Sequence, residues 1–86
     1  MYQNNSLPQI QDVKIVWDGY TIFNAWVKGE INGNRAIVNL RKKTITTKLE
    51  NGTIMKEFIN ENVSDINKVI FESAREFYRA NVVMSD

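Results

Sequence analysis

Turn-forming dipeptides separate strand-like runs along the first two thirds of the chain. They lie at Asp18-Gly19, Asn32-Gly33 and Asn51-Gly52. Both central residues of a type I′ turn need a positive φ, which Asp, Asn and Gly tolerate best. The runs between these dipeptides are rich in Val, Ile, Thr and aromatic residues, which favour strands. The pattern therefore predicts an antiparallel β-meander.

Four to five strands are predicted, at about residues 10–17, 20–31, 34–40, 44–50 and 53–59. For part of the last strand there is an alternative, because Met55-Lys56-Glu57-Phe58 also suits the beginning of a short helix. Residues 1–9 are predicted to be a flexible polar N-terminal tail, and residues 10–86 a single domain of ordinary globular composition.

Two-residue turns would also set the strand register. A turn at Asn32-Gly33 pairs Val27 with Val38, and the same geometry at Asn51-Gly52 pairs Ile45 with Phe58. Alternation along each strand then places ten apolar side chains on one face, which is the predicted core surface of the sheet. These side chains are Phe23, Ala25, Val27, Ala36, Val38, Leu40, Ile45, Leu49, Ile54 and Phe58.

One helix is predicted over about residues 63–81, with Asn62 or Ser64 as its N-cap. Apolar residues recur there at helical spacing, and a helix packed on the core face gives a two-layer α+β domain. Its apolar arc is wider than one flat face would cover, since Phe71 and Tyr78 extend it on one side and Val69 on the other. Either the sheet curls round the helix or a second partner packs there.

The opposite sheet face also carries large rings. If Asp18-Gly19 is a tight turn, Trp17 lies opposite Tyr20 on the same side as Trp26, and such a patch is typical of an interface. The alternative is a bulge in the first strand, which would turn Val13, Ile15 and Trp17 into the core. The residues predicted to bind a partner are Trp17, Tyr20, Trp26, Arg35 and Arg41.

Composition excludes several kinds of chemistry. The 86 residues contain no Cys and no His, so disulfides, thiolate metal sites and His-dependent catalytic triads are excluded. Acidic residues are scattered, and there is no Gly-rich phosphate loop or paired metal-ligand spacing. We therefore expect no catalytic residues, no metal and no cofactor, and the protein is not expected to be an enzyme. No motif identifies a family.

Charge is distributed unevenly although the formal net charge is only +1. Residues 31–56 carry six cationic side chains and one acidic one, whereas residues 57–86 carry six acidic and three cationic ones. Lys42, Lys43 and Lys48 are candidate phosphate-binding residues. The alternative is that these lysines keep sheet edges soluble and prevent aggregation.

No secretory signal or apolar run of about 18 residues occurs, so we expect a cytoplasmic protein without a membrane partner. Eleven Asn and ten Ile indicate an A/T-rich coding sequence, which suits a phage or plasmid origin.

The sequence predicts a small non-catalytic protein-binding module. Such a module acts as an inhibitor, an immunity or antitoxin-like protein, or an accessory factor, and binds either another protein or a second copy as a homodimer. Trp, Tyr and Arg on one sheet face support this, because they are enriched at binding hot spots. The alternative is a protein that binds single-stranded nucleic acid through the same aromatic and basic surface.

Overall fold

In a computed structural model, the backbone is described for residues 13–84 and the side chains for residues 13–82. Five antiparallel strands precede one helix, and strands adjacent in sequence are adjacent in the sheet. The predicted α+β meander with one C-terminal helix is therefore confirmed. The predicted tail and the predicted first residues of the first strand lie outside the described residues. The elements are β1 (Ile15–Thr21), β2 (Trp26–Ile31), β3 (Asn34–Asn39), β4 (Thr44–Lys48), β5 (Ile54–Phe58) and α1 (Asp65–Met84).

The turn between β2 and β3 is the one predicted. Asn32 and Gly33 have φ values of 52° and 85°, as a type I′ turn requires. Val27 pairs with Val38, and both side chains are completely buried. The predicted register of this hairpin is confirmed.

The turn predicted at Asp18-Gly19 is wrong, because both residues lie inside β1. The register shifts between Trp17 and Gly19, so Asp18 is the extra residue of a β-bulge, and the chain turns only at residues 22–25. The shift keeps Trp17 and Tyr20 both on the side of the sheet that packs against α1. The alternative of a bulge in the first strand is thus confirmed.

The loop between β4 and β5 is one residue longer than the predicted two-residue turn. The Leu49 N–H donates to the Thr53 carbonyl at 2.8 Å, so three residues form the loop, and Gly52 has a φ of 91°. Thr44 therefore pairs with Phe58, and Lys48 with Ile54. The strand, rather than a short helix, is confirmed for Met55-Lys56-Glu57-Phe58.

Three side chains predicted to lie in the core are exposed instead, so these predictions are wrong. The shifted register places Ile54 and Phe58 on the face opposite Ile45, where they are 58% and 59% exposed. Phe23 lies in the turn between β1 and β2 and is 86% exposed, because the bulge moves the first turn onto it. One residue of slip is enough to reverse the face of every following side chain in a strand.

Helix α1 packs on one face of the sheet, mainly over β1 and β2. Ser64 is its N-cap, since the Ser64 Oγ accepts a hydrogen bond from the Asn67 N–H at 3.3 Å. Burial is centred on the side of α1 that bears Phe71, whereas Ile66 stays 37% exposed. The buried hydrophobic residues are Val27, Ile31, Ala36, Val38, Ile45, Ile70, Phe71 and Ala74.

Candidate binding surface

The face of the sheet turned away from α1, here called the outer face, is uncovered by any helix or strand of residues 13–84. Its side chains come from all five strands and are both apolar and cationic. The outer face consists of Val16, Asp18, Thr21, Trp26, Lys28, Glu30, Arg35, Ile37, Asn39, Thr44, Thr46, Lys48, Ile54, Lys56 and Phe58.

Large apolar side chains cross the outer face. Ile37 is 39% exposed at its centre, and Ile54 and Phe58 are still more exposed on β5. Trp26 and Phe58 lie in one row of cross-strand neighbours that runs through Asn39 and Thr44. Three strand spacings separate the two rings, which corresponds to about 14 Å. Trp26 is half-buried, and exposed apolar groups such as Ile37, Ile54 and Phe58 so close to it are typical of a binding surface.

Cationic side chains line two shallow depressions on the outer face. One, of about 380 Å³, is lined by Lys28, Arg35, Lys48 and Ile54, among others. Both depressions include Ile37 and Thr46, so they are neighbours on one continuous surface. The second, of about 290 Å³, is lined by Trp26, Ile37, Asn39, Lys42, Thr44, Thr46 and Lys56.

The guanidinium of Arg35 pairs with carboxylates of the outer face. Its Nη1 lies 2.9 Å from the Asp18 Oδ2 and 3.8 Å from the Glu30 Oε2. The hydrogen bond to Asp18 and the charge of that carboxylate raise the pKa of Arg35 above its ordinary value. Within residues 13–82, no ion pair joins the outer-face lysines to a carboxylate. Lysine, rather than arginine, therefore supplies the free positive charge.

Trp17 and Tyr20, predicted to bind a partner, lie on the other side of the sheet. The Trp17 Nε1 donates to the Ser73 Oγ of α1 at 2.9 Å, and the Trp17 ring lies over Gly29. Tyr20 meets Phe77 edge to face at a centroid distance of 6.2 Å. The five predicted partner-binding residues therefore do not form one surface, because the bulge separates these two rings from Trp26.

Hydrogen bonds within the chain fix the basic turn between β3 and β4. The Asn39 Oδ1 accepts hydrogen bonds from the Arg41 and Lys42 N–H groups, and Lys43 has a φ of 58°. The Arg41 Nη2 donates to the Phe23 carbonyl at 3.0 Å, which ties this turn to the neighbouring one. Of the predicted phosphate-binding residues, Lys48 belongs to the outer face and Lys42 lines its second depression, whereas Lys43 lines neither depression.

Sequence reasoning missed Ile54, Lys56 and Phe58 as outer-face residues. A usable signal lay in the loop, because the Thr53 N–H donates to the Asn51 Oδ1 at 3.0 Å. Asn is a residue type that favours such local turns, and the loop that contains Asn51 has three residues rather than two. Without that extra loop residue, alternation assigns these three side chains to the core.

The outer face presents exposed apolar side chains and cationic side chains. Among residues 13–82, no three His, Cys, Asp or Glu side chains come together to hold a metal ion. Within the described part of the chain, no helix has the length and apolarity to cross a membrane. Comparison of the chain with protein-family models, curated proteins and solved structures finds no significant match.

Proposed function

We propose that the protein is a non-catalytic binding module whose outer face takes the acidic surface of a partner protein. The observation that carries this proposal is the group of exposed apolar side chains on the outer face, with lysines around it and no carboxylate paired to those lysines within residues 13–82.

In the proposed complex, apolar burial and complementary charge would make different contributions to binding. Removing Trp26, Ile37 and Phe58 from water supplies affinity, because buried apolar anchors dominate the energetics of protein interfaces. Lysines around them steer an acidic partner and discourage a basic one. Inhibitors, immunity or antitoxin-like proteins and accessory factors all act through such a surface, without chemistry of their own.

A different protein suits the outer face better than a second copy of the same chain. A face-to-face homodimer would bring together two faces on which cationic side chains outnumber acidic ones. Like charges at an interface cost free energy, and more so when they lose water. We therefore propose a heterologous acidic partner.

The test uses two exposed phenylalanines as a matched pair. Phe58→Ser changes the outer face, whereas Phe23→Ser changes the turn between β1 and β2, where the ring is even more exposed. Immobilised Phe23→Ser should retain the same protein from an extract of the source organism as the unmodified chain does. Phe58→Ser and Trp26→Ser should lose it. Equal retention by all four proteins would contradict the proposal.

Single-stranded nucleic acid is the second candidate, and one arrangement favours it. Lys56 lies 5.6 Å from the centre of the exposed Phe58 ring, and Trp26 shares a depression with Lys42. Each aromatic ring thus has a lysine beside it. Bases stack on such rings while lysines contact phosphates.

This candidate predicts binding that weakens steeply with salt, because each phosphate contact releases counterions. A labelled twelve-nucleotide mixed-sequence strand should bind at 20 mM salt by fluorescence anisotropy and dissociate as salt rises. Trp26→Ser should weaken that binding, and Phe23→Ser should leave it unchanged. No change in anisotropy at tens of micromolar protein would remove this candidate.

A further inference from the structure

The two edge strands of the sheet differ in how well they are protected. β1 carries the bulge at Asp18, and bulges discourage another strand from pairing with an edge. β5 is regular, and all five of its side chains are exposed. Within residues 13–84, no strand pairs with the outer side of β5.

The hydrogen-bonding direction along β5 follows from its ends. The Leu49 N–H donates to the Thr53 carbonyl, and the Ile59 N–H donates to the Lys43 carbonyl at 2.9 Å. Backbone groups alternate in direction along an antiparallel strand, so Met55 and Glu57 face β4 as Thr53 and Ile59 do. The backbone N–H and C=O groups of Ile54, Lys56 and Phe58 therefore point away from the sheet.

We propose that the partner adds an antiparallel strand to β5, and this inference rests on the proposed binding of a partner protein. The side chains of Ile54, Lys56 and Phe58 lie on the outer face, so an added strand would extend that face by one row. Complementarity requires apolar residues opposite Ile54, Met55 and Phe58, an acidic residue opposite Lys56 and a basic residue opposite Glu57.

A second copy of the chain is a poor occupant of this edge. The register that pairs all five residues of β5 with the same strand of another copy is centred on Lys56. It places two lysines directly opposite each other, which destabilises a sheet. An extended apolar segment of a different protein, with an acidic residue opposite Lys56 and a basic residue opposite Glu57, has no such conflict.

A synthetic peptide with this pattern provides the probe. Its core reads Ile-Lys-Glu-Val-Ile, and antiparallel pairing sets the Glu opposite Lys56 and the final Ile opposite Ile54. With a fluorescent label, it should bind the full chain and raise the anisotropy. N-methylation of the peptide Glu blocks a hydrogen bond to β5 and should weaken binding about tenfold. N-methylation of the Val, whose N–H points away, should change binding less than about twofold.

A charge exchange tests the pairing opposite Lys56. Lys56→Glu should weaken binding of the Glu peptide about tenfold, and a peptide with Lys at that position should restore it. Lys68→Glu, which changes an exposed lysine of α1, should leave both peptides unaffected. Equal effects of the two N-methyl groups, no restoration by the exchanged peptide, or no binding at all would overturn strand addition.

The Trp26→Ser variant separates this inference from the proposed function, because Trp26 lies on β2, three strands from β5. If Trp26→Ser loses the captured protein while the peptide does not bind, the outer face binds a partner and the edge inference is wrong. If the peptide binds as predicted while Trp26→Ser captures the same protein as the unmodified chain, the edge is a docking site and the outer-face proposal is wrong.

Discussion

The two tryptophans lie on opposite faces of one sheet and have different surroundings. Trp17 lies over Gly29 and is hydrogen-bonded to Ser73 of α1. Trp26 lines a depression on the outer face with Lys42 and Lys56. Side-chain type alone does not decide between these two environments. Both rings are half-buried, but Trp17 packs where Gly29 leaves room and α1 covers it, whereas Trp26 lies on the face that no helix or strand of residues 13–84 covers.

Truncation of the two rings should give the largest contrast in stability. Trp17→Ala should lower the free energy of unfolding by about 3 kcal/mol, since it removes a large ring packed on the core. Trp26→Ala should lower it by less than about 1 kcal/mol, because no helix of residues 13–84 covers that face. Urea unfolding followed by circular dichroism measures both. Equal losses would mean that the outer face is also covered.

A methyl group at Gly29 should give the next largest effect. A Cβ there would lie 2.0 Å from the Val16 carbonyl oxygen and 2.8 Å from the Trp17 ring, so Gly29→Ala should cost about 2 kcal/mol. Gly19→Ala is the matched control, because a Cβ at Gly19 meets nothing within 4 Å. Thermal unfolding of both variants checks this, and a Gly29→Ala protein as stable as the control would refute the close packing of Trp17.

A smaller gain in stability is expected at Thr21. Its Oγ1 is buried without a hydrogen-bond partner in the described residues. Thr21→Val removes the unsatisfied hydroxyl at nearly constant volume and should stabilise the fold by about 1 kcal/mol. Thr46→Val on the outer face serves as the comparison and should change stability little. Loss of stability in Thr21→Val would show that the hydroxyl has a partner, such as an ordered water.

The fold class could be predicted from the sequence, but only one of the three turns could be placed correctly. Asn32-Gly33 meets the requirement for two positive φ values, so its register follows from local chemistry. Asp18-Gly19 has the same pattern, yet a bulge there brings Trp17 onto Gly29 and Asp18 onto Arg35. That preference depends on contacts between strands, which a local pattern does not contain.

The candidate surface could be predicted only in part for the same reason. The sequence predicts Trp26 and Arg35 on the outer face correctly, because it predicts the register of the β2–β3 hairpin correctly. It predicts Ile54 and Phe58 in the core wrongly, because a two-residue turn makes the β4–β5 loop one residue too short. An error of one residue reverses the face of every side chain in a strand, so a side chain is predicted on the correct face of the sheet only where the turn is predicted correctly.

Quenching of the two tryptophans by ions of opposite charge tests the central claim, that the outer face is open and positively charged. Trp17→Phe leaves only Trp26, and Trp26→Phe leaves only Trp17. Trp17 is hydrogen-bonded to Ser73, beside a depression whose charged lining is Lys68, Glu72 and Glu76, with one more acidic than basic residue. At matched ionic strength, iodide should quench Trp26 more strongly than caesium does, and the iodide-to-caesium ratio should be higher for Trp26 than for Trp17. A Trp26 that resists both ions, or one quenched better by caesium, would contradict the account.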